Sequence, residues 1–187
     1  MTRATSNDKT TVVDILTSTF SDNKSVEYIL KDKNPKRLHS LMSYSFEYCM
    51  MFGEVLLSEQ KNACALIIYP DKKHTTFKSL ILDFQLALKS VGIKKLAKTL
   101  HRERCVKNIQ PNEQLLYLWY IAVRPGQQNG GIGGQLIEEI KQLAARQKRR
   151  LCLETSTLKN VPWYEKRGFH TYASLDFGFT LYCMKIF

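Results

Sequence analysis

The chain has 187 residues, near the roughly 150 of an average domain and enough to bury a substantial core, so a repeat array or a multidomain assembly is excluded. Apolar residues at 44% and charged residues at 24% are ordinary globular values, which excludes a disordered or fibrous chain. A net charge of +11 raises the local concentration of anionic partners, either nucleic acid or a phosphorylated small molecule.

Val12, Val13, Ile15, Leu16 and Phe20 have helical spacing, and Ser6, Asn7 and Asp8 offer caps, so a helix is predicted from about Asn7 to Phe20. Pro35 divides a second helical region, whose later part has the apolar stripe Leu38, Leu41, Met42, Phe46 and Cys49. Phe52 to Leu57 and Ala63 to Tyr69 read as strands of a hairpin joined through Ser58 to Asn62. Helical periodicity returns from Thr75 to Lys107 in two pieces broken near Val91 and Gly92, a two-helix insert. Leu115 to Val123 is a strand ended by Pro125, and its continuous apolarity predicts burial on both faces. Ile132, Leu136, Ile140, Leu143 and Ala144 make a helical stripe to about Gln147. Leu151 to Glu154 is a strand, Val161 to Arg167 a short helix stopped by Gly168, and Phe169 to Tyr172 and Phe179 to Ile186 are closing strands.

The apolar runs fall short of the roughly 20 residues of a membrane-spanning helix, and Met1 to Phe20 lack a signal-peptide core, so no membrane partner is expected. Five widely spaced cysteines form no CxxC pair and point to a reducing, cytoplasmic setting. The positive charge is partly clustered, at Lys94, Lys95, Lys98, His101, Arg102 and Arg104 and again at Arg146, Lys148, Arg149 and Arg150. Each cluster reads as a solvated helix face, and without a nucleic-acid motif a nucleic-acid partner is not favoured. His39, His74, His101 and His170 have no metal-ligand spacing, and Cys152 reads as a small buried residue rather than a nucleophile.

The most informative stretch is the strand ending in Val123, then Arg124-Pro125-Gly126-Gln127-Gln128-Asn129-Gly130-Gly131-Ile132-Gly133-Gly134, then the amphipathic helix. Glycines at a strand-to-helix turn let backbone N–H groups converge, and the helix dipole adds to them, making an anion site suited to a pyrophosphate. A Walker loop fails because Ile132 stands where Lys must reach the phosphates, and the dinucleotide fingerprint fails because Leu136 stands where its third glycine must be.

Gln128-x-x-Gly131-x-Gly133, after Ile121-Ala122-Val123-Arg124-Pro125, resembles the acyl-CoA-binding motif of the GNAT superfamily of N-acyltransferases. Downstream, Leu153-Glu154-Thr155-Ser156 and then Asn160-Val161-Pro162-Trp163-Tyr164-Glu165-Lys166-Arg167-Gly168-Phe169 resemble the family's second signature segment. The insert ahead of the central strand is similar to the layout of puromycin-acetyltransferase-like members. The resemblance implies one α/β (α+β) domain over residues 1–187, with a mixed, splayed central β-sheet flanked by helices. It implies acetyl-CoA as acyl donor, no metal, and direct transfer to a primary amine of an unidentified small molecule or peptide. The alternatives are a non-catalytic acyl-CoA sensor and a basic nucleic-acid-binding protein; a homodimer stays open.

Residue by residue, the resemblance implies that the backbone of Ile121 and Val123 pairs with the pantetheine arm. Gln128, Asn129, Gly130, Gly131, Ile132, Gly133 and Gly134 would hold the pyrophosphate, and Asn160 would contact the pantetheine. Tyr164 would place its hydroxyl near the thioester sulfur as proton donor. Asn160 also reads as the N-cap of the following helix. Family members often have a cation where this chain has Asn129 and Gly130, so the resemblance implies either weaker cofactor binding or a substitute in Arg124, Arg146 or another base. Glu154, at the end of its strand, is the first candidate for general base, with Tyr120 able to order water; both also suit structural roles.

Overall fold

In the computed structural model, which describes residues 1–186, Asn23 and Asn34 start the second and third helices. Their side chains accept from the backbone N–H of Val26 at 3.1 Å and of Lys36 at 2.9 Å, and Pro35 takes a first-turn position that needs no N–H. The N-terminal third is thus β1 (Thr2–Arg3), α1 (Lys9–Thr19), α2 (Lys24–Ile29) and α3 (Pro35–Phe52). Then come β2 (Gly53–Leu57) and β3 (Ala63–Ile68), the expected hairpin. They are followed by α4 (Phe77–Leu86), a π-helical turn over Ala87–Val91 and α5 (Ile93–Ile109). Gly92, at φ 74°, breaks the insert where the sequence predicts. The remainder is β4 (Leu115–Val123), α6 (Ile132–Arg146), β5 (Arg150–Thr155), α7 (Val161–Glu165), β6 (His170–Asp176) and β7 (Thr180–Lys185).

The seven strands form one sheet in the order β1-β2-β3-β4-β5-β7-β6. Only β4 and β5 run parallel. The mixed, splayed sheet that the resemblance implies is therefore present. The two-residue strand β1 was not predicted, because two residues have no periodicity to read. β6 is also longer than expected, running on to Asp176, with Gly178 at φ 82° in the turn to β7.

The sheet separates two cores. Val12, Leu16, Leu41, Met42 and Phe46 of α1 and α3 pack on one face; Leu136, Ile137 and Ile140 of α6, with Tyr164 and Phe169, pack on the other. The expectation that β4 is buried on both faces is corrected: Tyr117, Trp119, Ile121 and Val123 are only half-buried. Of these, Trp119, Ile121 and Val123 lie beyond the stretch of β4 that β5 pairs.

Among the described residues no helix is long and apolar enough to cross a membrane. The basic clusters are only partly solvated. Arg149 forks onto Asp71 at 2.6 and 2.9 Å, Arg150 pairs with Glu113 at 3.0 Å, and Lys95 donates to the carbonyl of Glu27 at 3.1 Å and to that of Leu30.

Candidate active site

The parallel register of β4 and β5 runs from Leu115 opposite Arg150 to Leu118 opposite Leu153 and stops there. Beyond it, Glu154 and Thr155 pair with β7, while Tyr120 to Val123 pair with β3. The two strands part, and a wedge opens between their C-terminal ends. Opposite β3 the register skips Trp119, since Leu66 faces Tyr120 and Ile67 faces Leu118. This bulge inverts the alternation of β4. Leu116 and Leu118 join the core under α6 before it, whereas Tyr120 and Ala122 join the opposite core after it. The backbone of Ile121 and Val123 thus lies along a wedge edge that β5 does not pair. The Val123 carbonyl already accepts from Gln128 Nε2 at 3.2 Å and Thr19 Oγ1 at 3.3 Å, bonds that tie the loop and α1 to the strand end.

At the mouth of the wedge the glycine loop turns into α6. Gly126, Asn129 and Gly131 take positive φ, and Gly131, at φ 81°, is the residue from which α6 starts. A Cβ on Gly131 would meet no atom of the chain within 4 Å, so the space before the first helical N–H groups is open. Gly133 is held close instead: its Cβ would lie 3.5 Å from Val123 Cγ2 and 3.6 Å from the Trp163 ring. This is the geometry of an anion-binding helix N-terminus with a small-residue floor. The α6 helix is 15 residues long, and Arg146 closes it at the far end, so about 20 Å of helix separates that cation from the loop. Arg146 therefore does not substitute for the missing loop cation. The base at the loop is Arg167, which sequence reading did not single out. Its guanidinium stacks 3.8 Å above the Trp163 ring, donates to the Trp163 carbonyl at 2.8 Å and lies 3.0 Å from the Cβ position of Gly134.

Tyr164 sits on α7 below this loop, 5% exposed, its ring edge-on to Trp163 and Phe169. Burial alone pushes its phenol up, so it stays protonated, and no hydrogen bond to its hydroxyl occurs among the described residues. Asn160 occupies the N-cap position of α7 but makes no capping bond; the helix start is instead continuous with a 3₁₀ turn over Leu158–Asn160. The capping reading of Asn160 is thus corrected, and its amide is not committed to the helix.

On the other face of the sheet, Glu154 Oε2 accepts a hydrogen bond from the Tyr117 hydroxyl, while Oε1 is sealed from solvent with no partner. Burial is the main cause that lifts Glu154 to about 7; the Tyr117 hydrogen bond and the Arg102 charge oppose it. Tyr120 is buried against Phe20 and Trp119, with rings 5.1 and 5.2 Å away, and burial raises it to about 12 although Ser45 hydrogen-bonds it. Sequence reading missed Tyr117 and Arg102. Arg102, placed by sequence on a solvated helix face, is 7% exposed because α2 packs across α5 and its Ser25 Oγ accepts from Nη2 at 3.0 Å. Phe177 and Phe179 of the β6–β7 turn close over this side onto Tyr28, at 5.6 Å each.

Cys152 is fully buried with its thiol pushed up by burial, as expected of a packing residue. All five cysteines are free, and no group of three or more metal-ligating side chains gathers among the described residues.

Residues 91–171, from the end of the insert through β4, α6, β5 and α7 into β6, match the family described as acetyltransferase (GNAT) domain. That stretch is thus similar to the GNAT acetyltransferase domain, and the fold over the described residues is the GNAT fold. A histone acetyltransferase HPA2 and related acetyltransferase from Corynebacterium glutamicum aligns with a TM-score of 0.69 at 16% identity, covering 99% of this chain and 94% of that one. Arylalkylamine N-acetyltransferase 2 from Aedes aegypti aligns at 0.65 and 15%, covering 98% and 96%. The C-terminal condensation domain of Ebony, in complex with β-alanyl-dopamine, aligns at 0.71 and 10%, covering 99% and 97%. No curated protein matches the chain. At these identities the alignments establish the architecture, and they include a condensation domain beside acetyltransferases.

Proposed function

We propose that the protein is an N-acetyltransferase that moves an acetyl group directly from acetyl-CoA to a primary amine, working as one domain in the cytoplasm. The observation behind this reading is the wedge where β4 and β5 part, which leads to the open N-terminus of α6, with Tyr164 next in the chain to Trp163, whose ring lies against Gly133. Acetyl-CoA fits these residues. The loop from Gln128 to Gly134 offers N–H groups to a pyrophosphate, Arg167 adds charge, the edge of Ile121 and Val123 that β5 does not pair suits an amide-bearing arm, and Asn160 has an uncommitted amide. When bound, the thioester supplies an activated acetyl carbonyl. Glu154 takes the proton of the acceptor ammonium, through water or directly; the amine then attacks the acetyl carbonyl, the C–N bond forms and the C–S bond breaks, Tyr164 gives its proton to the departing sulfur, and the proton that the new amide nitrogen sheds returns Tyr164 to its neutral form. Tyr120 packs the acceptor side and orders the approach.

Calorimetric titration with acetyl-CoA and desulfo-CoA, followed by an amine panel read by free-thiol release, tests this. Binding with thiol release on an amine is the expected result; binding without turnover leaves an acceptor outside the panel or a sensor, and no binding removes the reading. Gly131→Val checks the loop separately. A side chain at φ 81° is strained by about 1–3 kcal/mol and fills the open space in front of the helix, so the acetyl-CoA dissociation constant should rise roughly 10- to 100-fold. An unchanged constant would refute the loop assignment.

A further inference from the structure

Of the nine large apolar side chains that are exposed among the described residues, seven belong to the two-helix insert. Five of them, Phe77, Leu80, Ile81, Phe84 and Leu88, run through α4 into the π-helical turn and are between 42% and 81% exposed. At about 100° per residue, the spacing i, i+3, i+4, i+7 and i+11 puts them on one side of the helix. The domain uses the other side. Leu86 packs against the core that α3 lines, Ser79 is buried, and Asp83, the only acidic residue of α4, accepts from the Tyr44 hydroxyl of α3 at 2.8 Å. An amphipathic helix normally turns its apolar stripe inward; here a stripe faces outward, and an exposed patch of this kind marks an interaction surface.

The stripe is formed before any partner arrives. Thr76 and Ser79 make a reciprocal capping box at the start of α4, with both bonds at 3.0 Å, and α3 backs the helix, so docking costs little ordering. The charge around it is mostly of one sign. From Phe77 to Ile109, eight Lys and Arg stand against two acidic residues, over half of the chain's net charge of +11. Lys95 and Arg102 bond inward to α2, whereas Lys89, Lys94, Lys98 and Arg104 are exposed. Lys78 shares Glu47 with Lys9, at 2.9 Å each, so that carboxylate offsets only one of the two.

A second copy of the chain would set these charges against equal ones, which is repulsive. An anionic bilayer suits both features at once: apolar side chains enter among the acyl chains, and lysines lay their stems along the apolar surface while their ammonium groups reach the headgroups. No groove is needed for this, and the cavities of about 290 and 280 Å³ are not lined by α4. A helix lying on a bilayer need not span it, so the short apolar runs of the sequence bear only on crossing.

We propose that the insert docks the protein on an anionic lipid surface, with Phe77 and Phe84 of α4 inserted and Lys89 and Lys94 at the headgroups. This goes beyond acetyl transfer and stands independently of it.

The test is co-sedimentation of the full chain with vesicles of phosphatidylcholine alone and of phosphatidylcholine mixed with phosphatidylserine, with sedimentation velocity of the chain without lipid beside it. Binding to the mixed vesicles should be at least about tenfold tighter than to the neutral ones and should weaken as salt rises. Phe77→Ser and Phe84→Ser together should weaken it about a hundredfold, the loss expected for two aromatic side chains taken out of an apolar phase. Both residues are exposed, so a thermal midpoint close to wild type would show the fold intact. Lys89→Glu with Lys94→Glu should weaken binding to the mixed vesicles about tenfold or more without touching the stripe. No binding to the mixed vesicles, equal binding to both kinds, or serine and glutamate variants that bind as wild type does overturns the proposal. A chain that ignores vesicles and forms a dimer that the serine substitutions dissolve overturns it as well, and makes the stripe a protein interface.

Discussion

Tyr164→Phe should lower kcat by about ten- to ten-thousandfold while leaving the acetyl-CoA dissociation constant nearly unchanged, the range for losing a positioned proton donor. The structure makes this substitution a clean one. The Tyr164 ring is packed edge-on between Trp163 and Phe169 at centroid distances of 4.9 and 5.4 Å, and phenylalanine keeps both contacts. The hydroxyl has no hydrogen bond to lose, so its removal leaves no buried partner unsatisfied and costs the fold little. Burial holds the phenol protonated across the working pH range, which suits a donor and unsuits a base. A thermal midpoint close to wild type together with a collapsed kcat would isolate the hydroxyl as the reacting group. Wild-type turnover in the variant would make Tyr164 a packing residue and move the proton donor elsewhere.

The elements around the glycine loop were legible because their chemistry is local. Gly126 and Gly131 sit at positive φ, a demand of the backbone itself, and the stripe from Ile132 to Ala144 can form only one helix face. The surroundings of Glu154 depend on register and on packing between distant segments, and there the sequence offered Glu154 and Tyr120 but not their partners. Tyr117 and Glu154 are far apart in the chain and meet only because the parallel ladder sets Tyr117 beside Cys152, two residues before Glu154. Arg102 stands among Lys94, Lys95, Lys98 and Arg104, and nothing local separates the buried cation from its neighbours; the distinction is made by Ser25 on another helix. The bulge at Trp119 is likewise invisible in an unbroken apolar run, although it decides which side chains of β4 face which core. Arg146 misled for the opposite reason, being a cation on the right helix at its wrong end.

Glu154→Gln should lower kcat by about a hundred- to ten-thousandfold and erase a limb of the pH profile, the largest effect expected on the acceptor side. Burial lifts the Glu154 carboxyl to about 7, with Tyr117, Arg102, Glu103 and Lys73 as the surrounding groups. A base with that value is half charged near neutrality, so wild-type kcat/KM for the acceptor should rise through pH 7, and the residual activity of the variant should follow only the acceptor amine. Glutamine can still accept the Tyr117 hydrogen bond through its carbonyl oxygen, so the substitution removes charge and basicity with little change in packing. Stability gives a second readout that does not involve turnover. The folded protein binds a proton that the unfolded chain has released between the ordinary 4.5 and about 7, so wild-type stability falls as pH rises through that window and stays low above it. Glu154→Gln lacks this titration and should gain on wild type by up to roughly 3 kcal/mol between pH 4 and pH 8. A stability difference that does not vary over that window would mean the carboxyl is not held in its raised state. The base role would then lose its physical ground, whatever the variant does to turnover.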